Sequence, residues 1–161
     1  MIEILPIQPD QIPAAKKVIY AVAQRIFEPG QTLEEFTAAL DSEHELRDMD
    51  NYREIYTDNR GLFLVVLDDG KVVGTGAIRK LKDDEAELKR IWLLEDYHGQ
   101  KIGFRMVNML LDFARGQGYT SVYLETTVYQ KRAQVFYKKL GFQVIPSRLE
   151  DPDEISMSMP L

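Results

Sequence analysis

Cysteine is absent from these 161 residues, which excludes disulfides, thiolate zinc sites and any cysteine nucleophile. Histidine is scarce: His44 and His98 stand far apart, each without a second histidine or a ligand at helical spacing, so no metal site is expected. The chain contains no Gly-x-Ser-x-Gly elbow, no Gly-x-x-x-x-Gly-Lys-Ser/Thr loop and no Gly-x-Gly-x-x-Gly fingerprint. Those gaps speak against an elbow-type hydrolase, a P-loop NTPase and a Rossmann dehydrogenase. Positive charge is also in deficit, with 20 Lys and Arg against 26 Asp and Glu for a net charge of −6. Nucleic acid and anionic membranes call for a basic surface and are not expected partners. No apolar run approaches the length of a membrane span, and Met1-Ile2-Glu3 lacks the charged and apolar regions of a signal peptide, so a cytoplasmic location is expected.

What is present is a chain of one-domain length, 45% hydrophobic, with clear periodicities. Ile2 to Ile7 alternates as a strand. Asp10 stands where it would cap a helix with apolar positions Ile12, Ala15, Val18, Ile19, Val22 and Ile26, ended by Pro29-Gly30. Thr32 and Glu35 have capping-box spacing ahead of a second helix through Phe36, Ala39 and Leu40. From Asp41 to Asn51 the chain is polar and acidic, either a solvated helix end and loop or an acceptor-binding rim. Gly61 to Leu67 is a buried-strand run, folded back by Asp68-Asp69-Gly70-Lys71 onto Val72 to Ile78, and Ala86 to Leu94 reads as a third antiparallel strand. Ile102, Met106, Leu110 and Ala114 mark a helix, Ser121 to Thr127 a strand parallel to the one before that helix, and together they form a βαβ unit. Lys131 to Leu140 is a short helix capped by Gly141, followed by strands over Phe142 to Ile145 and Ile155 to Met159.

Between the third strand and the long helix lies Tyr97-His98-Gly99-Gln100-Lys101-Ile102-Gly103-Phe104. The first amides of a helix have no intrahelical partner and carry the positive end of its dipole, so a glycine-bearing turn there suits a phosphate. Equally, Gly99 and Gly103 fit a flexible connection and a helix-packing position.

Glu87-Leu88-Lys89-Arg90-Ile91-Trp92-Leu93-Leu94, then Tyr97 to Gly103, and later Ala133-Gln134-Val135-Phe136-Tyr137-Lys138-Lys139-Leu140-Gly141-Phe142, resemble the GNAT superfamily of acyl-CoA-dependent N-acetyltransferases. The first two pieces are similar to its pyrophosphate motif and the third to its Ala-x-x-x-Tyr-x-x-x-Gly-Phe segment. The resemblance implies an α/β (α+β) GNAT-like fold. It would have a mixed central sheet of about seven strands, antiparallel in its N-terminal part, with the βαβ unit at the cofactor site and about four flanking helices. It implies one domain over 1–161, with a variable acceptor-side region at 1–60, a cofactor-binding core at 61–145 and a C-terminal loop and strand at 146–161.

It further implies acetyl-CoA as co-substrate, no metal, and a small amine or a polypeptide amine as acceptor. Relatives often form homodimers. A non-catalytic acyl-CoA-binding sensor or interaction module of the same fold is the alternative. By resemblance, His98, Gly99, Gln100, Lys101, Ile102, Gly103 and Phe104 hold the pyrophosphate, and Gln130 and Tyr137 also meet the cofactor. The main chain of Trp92, Leu93 and Leu94 occupies the place of a strand bulge whose free N–H meets the thioester or pantetheine arm. His98 stands where the family usually has arginine or glutamine, Gln130 where many relatives have asparagine, and Lys101 where they have glycine, so ordinary backbone angles are expected at Lys101. Tyr137 is in the place of the thiolate's proton donor. Glu87 is the first candidate base, with Glu85 and Glu125 behind it.

Overall fold

Seven strands assemble into one sheet in the computed structural model, which describes residues 1–161. They are β1 (Ile2–Pro6), β2 (Leu62–Asp68), β3 (Lys71–Lys80), β4 (Glu85–Leu93), β5 (Ser121–Thr127), β6 (Gln143–Ile145) and β7 (Glu154–Pro160), ordered β1-β2-β3-β4-β5-β7-β6. β1 to β4 run antiparallel, β4 and β5 are parallel, and β7 lies antiparallel between β5 and β6. Asp69 and Gly70 both take positive φ (47° and 85°) in the β2–β3 turn, the twist a two-residue hairpin needs.

Five α-helices accompany the sheet: α1 (Ile12–Phe27), α2 (Leu33–Ser42), α3 (Arg47–Asp50), α4 (Ile102–Gly116) and α5 (Lys131–Leu140). The helix beyond the expected four is α3, a single turn too short to show a period, followed by a π-helical turn at Arg53–Thr57. The acidic stretch Asp41 to Asn51 is solvated over most of its length, but Leu46, Asp48 and Met49 within it are buried. Asp10 does not cap α1. It sits inside a 3₁₀ turn at Pro9–Gln11, where the Gln11 side chain accepts from the Gln8 N–H (2.9 Å). The capping box of α2 forms as its spacing predicts, with Thr32 Oγ1 accepting from Glu35 N–H (3.1 Å) and the Glu35 carboxylate from Thr32 N–H (3.2 Å).

Strand alternation separates two cores. Ile78, Ala86, Leu88, Val122, Leu124 and Met157 pack against α4 on one face. Phe63, Val65, Leu67, Val72 and Ala77 pack against α1 and its neighbours on the other. The register carries this second face onward through Arg79, Glu87, Lys89, Tyr123, Glu125 and Ser156, which are polar. No helix is long and apolar enough to cross a membrane.

Candidate active site

β4 and β5 pair only over Glu85–Leu88 and Ser121–Leu124, after which they diverge and leave Lys89 to Leu93 without a β5 partner. On its other side β4 stays with β3 but bulges. The register steps from Thr75↔Trp92 to Ala77↔Lys89, so Gly76 faces both Arg90 and Ile91, and Arg90 takes φ 57°. The bulge therefore lies earlier than the Trp92–Leu94 position implied by resemblance. Gly76 lies across the ladder from the bulge, and a Cβ there would lie 2.8 Å from the Met106 side chain and 3.0 Å from Ile91. Leu94 N–H donates to the Val73 carbonyl (3.0 Å), so by strand alternation the peptide groups of Leu93 point away from β3, into the gap. The Leu93 carbonyl accepts from His98 Nε2 at 3.0 Å, leaving His98 Nδ1 buried without a partner. Trp92 does not join this group, since it pairs with Thr75 and its indole packs on the α1 side.

A 3₁₀ turn at Glu95–Tyr97 follows β4, closed by Tyr97 N–H to Leu94 O and His98 N–H to Glu95 O, both 3.0 Å. The N–H of His98 is thus spent. The next six, on Gly99, Gln100, Lys101, Ile102, Gly103 and Phe104, meet no acceptor in the protein; pairing resumes when Arg105 donates to the Lys101 carbonyl (3.0 Å). Gly99 (φ 79°) and Lys101 (φ 62°) are both left-handed, which wraps these donors ahead of α4. Lys101 therefore does not have the ordinary angles expected of it: it keeps a conformation suited to glycine, at a backbone cost of about 1–2 kcal/mol for an L-residue. Ile102 anchors the turn in the core, Gln100 Nε2 holds the Asp96 carbonyl (3.2 Å), and a Cβ on Gly103 would make only an ordinary 3.6 Å contact with Phe136.

The arrangement of donors, rather than the Lys101 side chain, fits an anion. Lys101→Gly is accordingly expected to bind coenzyme A within about threefold of the parent and to melt slightly higher, whereas Gly99→Val should weaken binding at least about tenfold. Calorimetry and thermal melts measure both.

Tyr137 projects from α5 into the core at 7% exposure, its ring between Phe136 (5.4 Å) and Phe142 (5.9 Å). Burial alone pushes its phenol pKa up, and no partner stabilises the ionised form, so it stays protonated at neutral pH. Gln130 precedes α5 with Oε1 accepting from Thr126 (3.3 Å) and Thr127 (3.1 Å), which commits that oxygen to the β5–α5 turn.

Three carboxylates share the polar face. Glu87, 3% exposed, receives Arg79 Nε (3.0 Å) and Nη2 (2.9 Å) on one oxygen. Glu85 is held by both terminal nitrogens of Arg148 (2.7 and 3.0 Å). Glu125 is the exposed one. It is the first β5 residue past the paired stretch, and it accepts from the Tyr123 hydroxyl (3.2 Å). Partial desolvation, then the negative charge of Glu87, push its carboxyl above the usual range.

Arg90, which carries no role by resemblance, ties the bulge to α3. Its Nη2 and Nε meet the two oxygens of Asp48 at 2.7 and 3.1 Å, and Tyr56 also donates to Asp48 (2.5 Å). The one cue in sequence is the pair of charges, Lys89 and Arg90, placed within the run Leu88 to Leu94.

The profile of the Acetyltransferase (GNAT) family matches residues 26–142, more than half of the chain. A probable N-acetyltransferase, camello, of Xenopus tropicalis is 40% identical over 90 residues, 55% of this chain and 40% of that protein. N-acetyltransferase 8F1 of Rattus norvegicus is 35% identical over 123 residues, 73% of this chain and 53% of that one. The chain spans about half the length of these two curated relatives. Among solved structures, the PaiA N-acetyltransferase of Thermoplasma acidophilum in complex with coenzyme A aligns at TM-score 0.82 and 19% identity, covering 100% of this chain and 99% of that one. An acetyltransferase of Streptococcus agalactiae aligns at 0.84 and 22% identity, covering 99% and 98%. The family profile runs through the donor turn and α5 alike, and the chain belongs to the GNAT family of acetyltransferases.

Proposed function

We propose that this chain is an N-acetyltransferase that moves the acetyl group of acetyl-CoA to a primary amine by direct attack in a ternary complex. The observation that carries this reading is the run of six unpaired N–H groups from Gly99 to Phe104 at the start of α4, a cradle for the diphosphate of coenzyme A. The solved neighbour that holds coenzyme A has the same fold. Acetyl-CoA supplies the activated acyl group. Leu93 N–H, directed into the β4–β5 gap, is placed to hold the carbonyl oxygen as it gains charge. An alkyl ammonium titrates near about 10, so the acceptor must shed a proton before it attacks. Glu125 is the reachable member of the Glu87–Glu125 pair and takes that proton, while Glu87 is held beside it by Arg79. The new C–N bond forms as the C–S bond breaks; two protons leave the nitrogen in all, Tyr137 returns one to the sulfur, and the net proton goes to water. With no cysteine to carry an acyl group, transfer is direct.

Thiol release in the presence of acetyl-CoA and a panel of amines tests the activity, and a cysteine-free chain contributes no thiol background. Ping-pong kinetics would contradict direct transfer. Coenzyme A uptake without thiol release from any amine would instead favour an acyl-CoA-binding module. Because the Glu125 carboxyl is raised, kcat/KM should climb with pH through a range above that of an ordinary carboxylate. Glu125→Gln is expected to remove that acid limb and to lower kcat/KM about a hundredfold. An unaltered profile would clear Glu125 of the role.

A further inference from the structure

An open cavity of about 350 Å³ lies between α1, α2 and the β4 bulge. Nine of its thirteen lining residues are hydrophobic, and Tyr20, Phe27, Phe36 and Trp92 make its walls aromatic. A dry cavity of about 150 Å³ already accepts benzene, so this one has room for a ring and a short alkyl linker. Its lip is built from fixed parts. Gln24 Nε2 bonds the carbonyls of Glu28 (3.0 Å) and Gln31 (2.9 Å), and the Tyr20 hydroxyl joins α1 to α2 through Asp41 (2.5 Å).

The cavity adjoins the gap between β4 and β5. Trp92, on its wall, directly precedes Leu93, whose N–H enters the gap. Phe27 at the lip meets Tyr129 edge-on at 6.4 Å, and Tyr129 lies on the loop that follows β5 and Glu125. The charges also match an amine. Arg90 is the one cationic side chain in the lining and is already paired with Asp48, while the carboxylates of Glu28 and Glu45 have no ion-pair partner. A rim with surplus negative charge draws an ammonium in, whereas an apolar floor rejects a second charge at the far end of the molecule.

Building on the acetyl-transfer reading, we infer that the acceptor is a primary amine with an apolar, ring-sized body seated in this cavity, rather than a polyamine or a free lysine. Trp92 is the only tryptophan of the chain, so its emission reports on the cavity without catalysis. Titration with 2-phenylethylamine should change that emission saturably, and spermidine should not. Ala39 lines the cavity from an exposed position on α2, where a larger side chain need not disturb the core. Ala39→Phe should weaken the 2-phenylethylamine response at least about tenfold, leave calorimetric uptake of coenzyme A unchanged, and lower kcat/KM for that amine to the same extent.

A silent Trp92, an emission change brought by hexanoyl-CoA and not by the amine, or a kcat/KM for spermidine or lysine at or above that for 2-phenylethylamine each overturns the inference and leaves acetyl transfer standing. If coenzyme A is not taken up and no amine releases thiol, acetyl transfer is what fails. The emission titration then still decides whether the cavity holds an apolar amine.

Discussion

Replacing Tyr137 with phenylalanine is expected to lower turnover about a hundredfold or more, with coenzyme A affinity within about twofold of the parent. The substitution removes one hydroxyl and nothing else. The ring contacts with Phe136 and Phe142 persist, and no hydrogen-bond partner is orphaned, so stability should not fall. A loss confined to turnover therefore isolates proton delivery to the departing sulfur. Burial keeps the phenol protonated well into the alkaline range, so the wild-type rate should not decline through loss of this proton near neutrality. Steady-state kinetics, calorimetry and a melt on the same preparation are sufficient, and undiminished turnover would reduce Tyr137 to a packing residue.

Arg90→Met is expected to destabilise the fold by about 3 kcal/mol, because it leaves the Asp48 carboxylate buried and uncompensated. Burial by itself would raise the Asp48 pKa; the hydrogen bonds and charge of Arg90, aided by Tyr56, outweigh that and hold it below the usual range. A carboxyl with a depressed folded-state pKa contributes stability above its unfolded pKa and loses it as the pH falls through the folded value. Wild-type protein should therefore lose this contribution only on the acid side. In Arg90→Met the sign reverses, since Asp48 then prefers to be neutral and mild acid should narrow the gap to wild type. Urea unfolding of both proteins near neutrality and at roughly pH 4–5 checks the reversal. Adding Asp48→Asn to Arg90→Met should recover part of the loss, which a purely local backbone effect at the left-handed bulge would not.

Features set by neighbours in sequence were legible there. The β2–β3 turn, the Thr32–Glu35 box, the apolar stripe of α4 and the Gly141 cap (φ 112°) all arise within a few residues, and each formed where its spacing predicts. Features set across the sheet were not. Nothing along the chain places β7 between β5 and β6, or shows that β4 bulges opposite Gly76 of β3. Lys101 misled because side-chain identity is a weak guide where a turn imposes a left-handed backbone from outside. The carboxylates are a similar case. Glu85, Glu87 and Glu125 look alike in sequence, and only the positions of Arg148 and Arg79 show which two are held fast. The burial of Asp48 is likewise hidden in the sequence, because its partner Arg90 lies in a different element.

The divergence of β4 from β5 has a practical corollary for mutagenesis. Both outer rims of the sheet are short, five residues at β1 and three at β6, and a backbone edge as long as that of β1 lies inside the molecule, along Lys89 to Leu93. A guest read by main-chain groups is indifferent to most side-chain changes. Alanine scanning of this stretch would therefore understate its importance, and proline, which deletes the donor itself, is the substitution that would expose it.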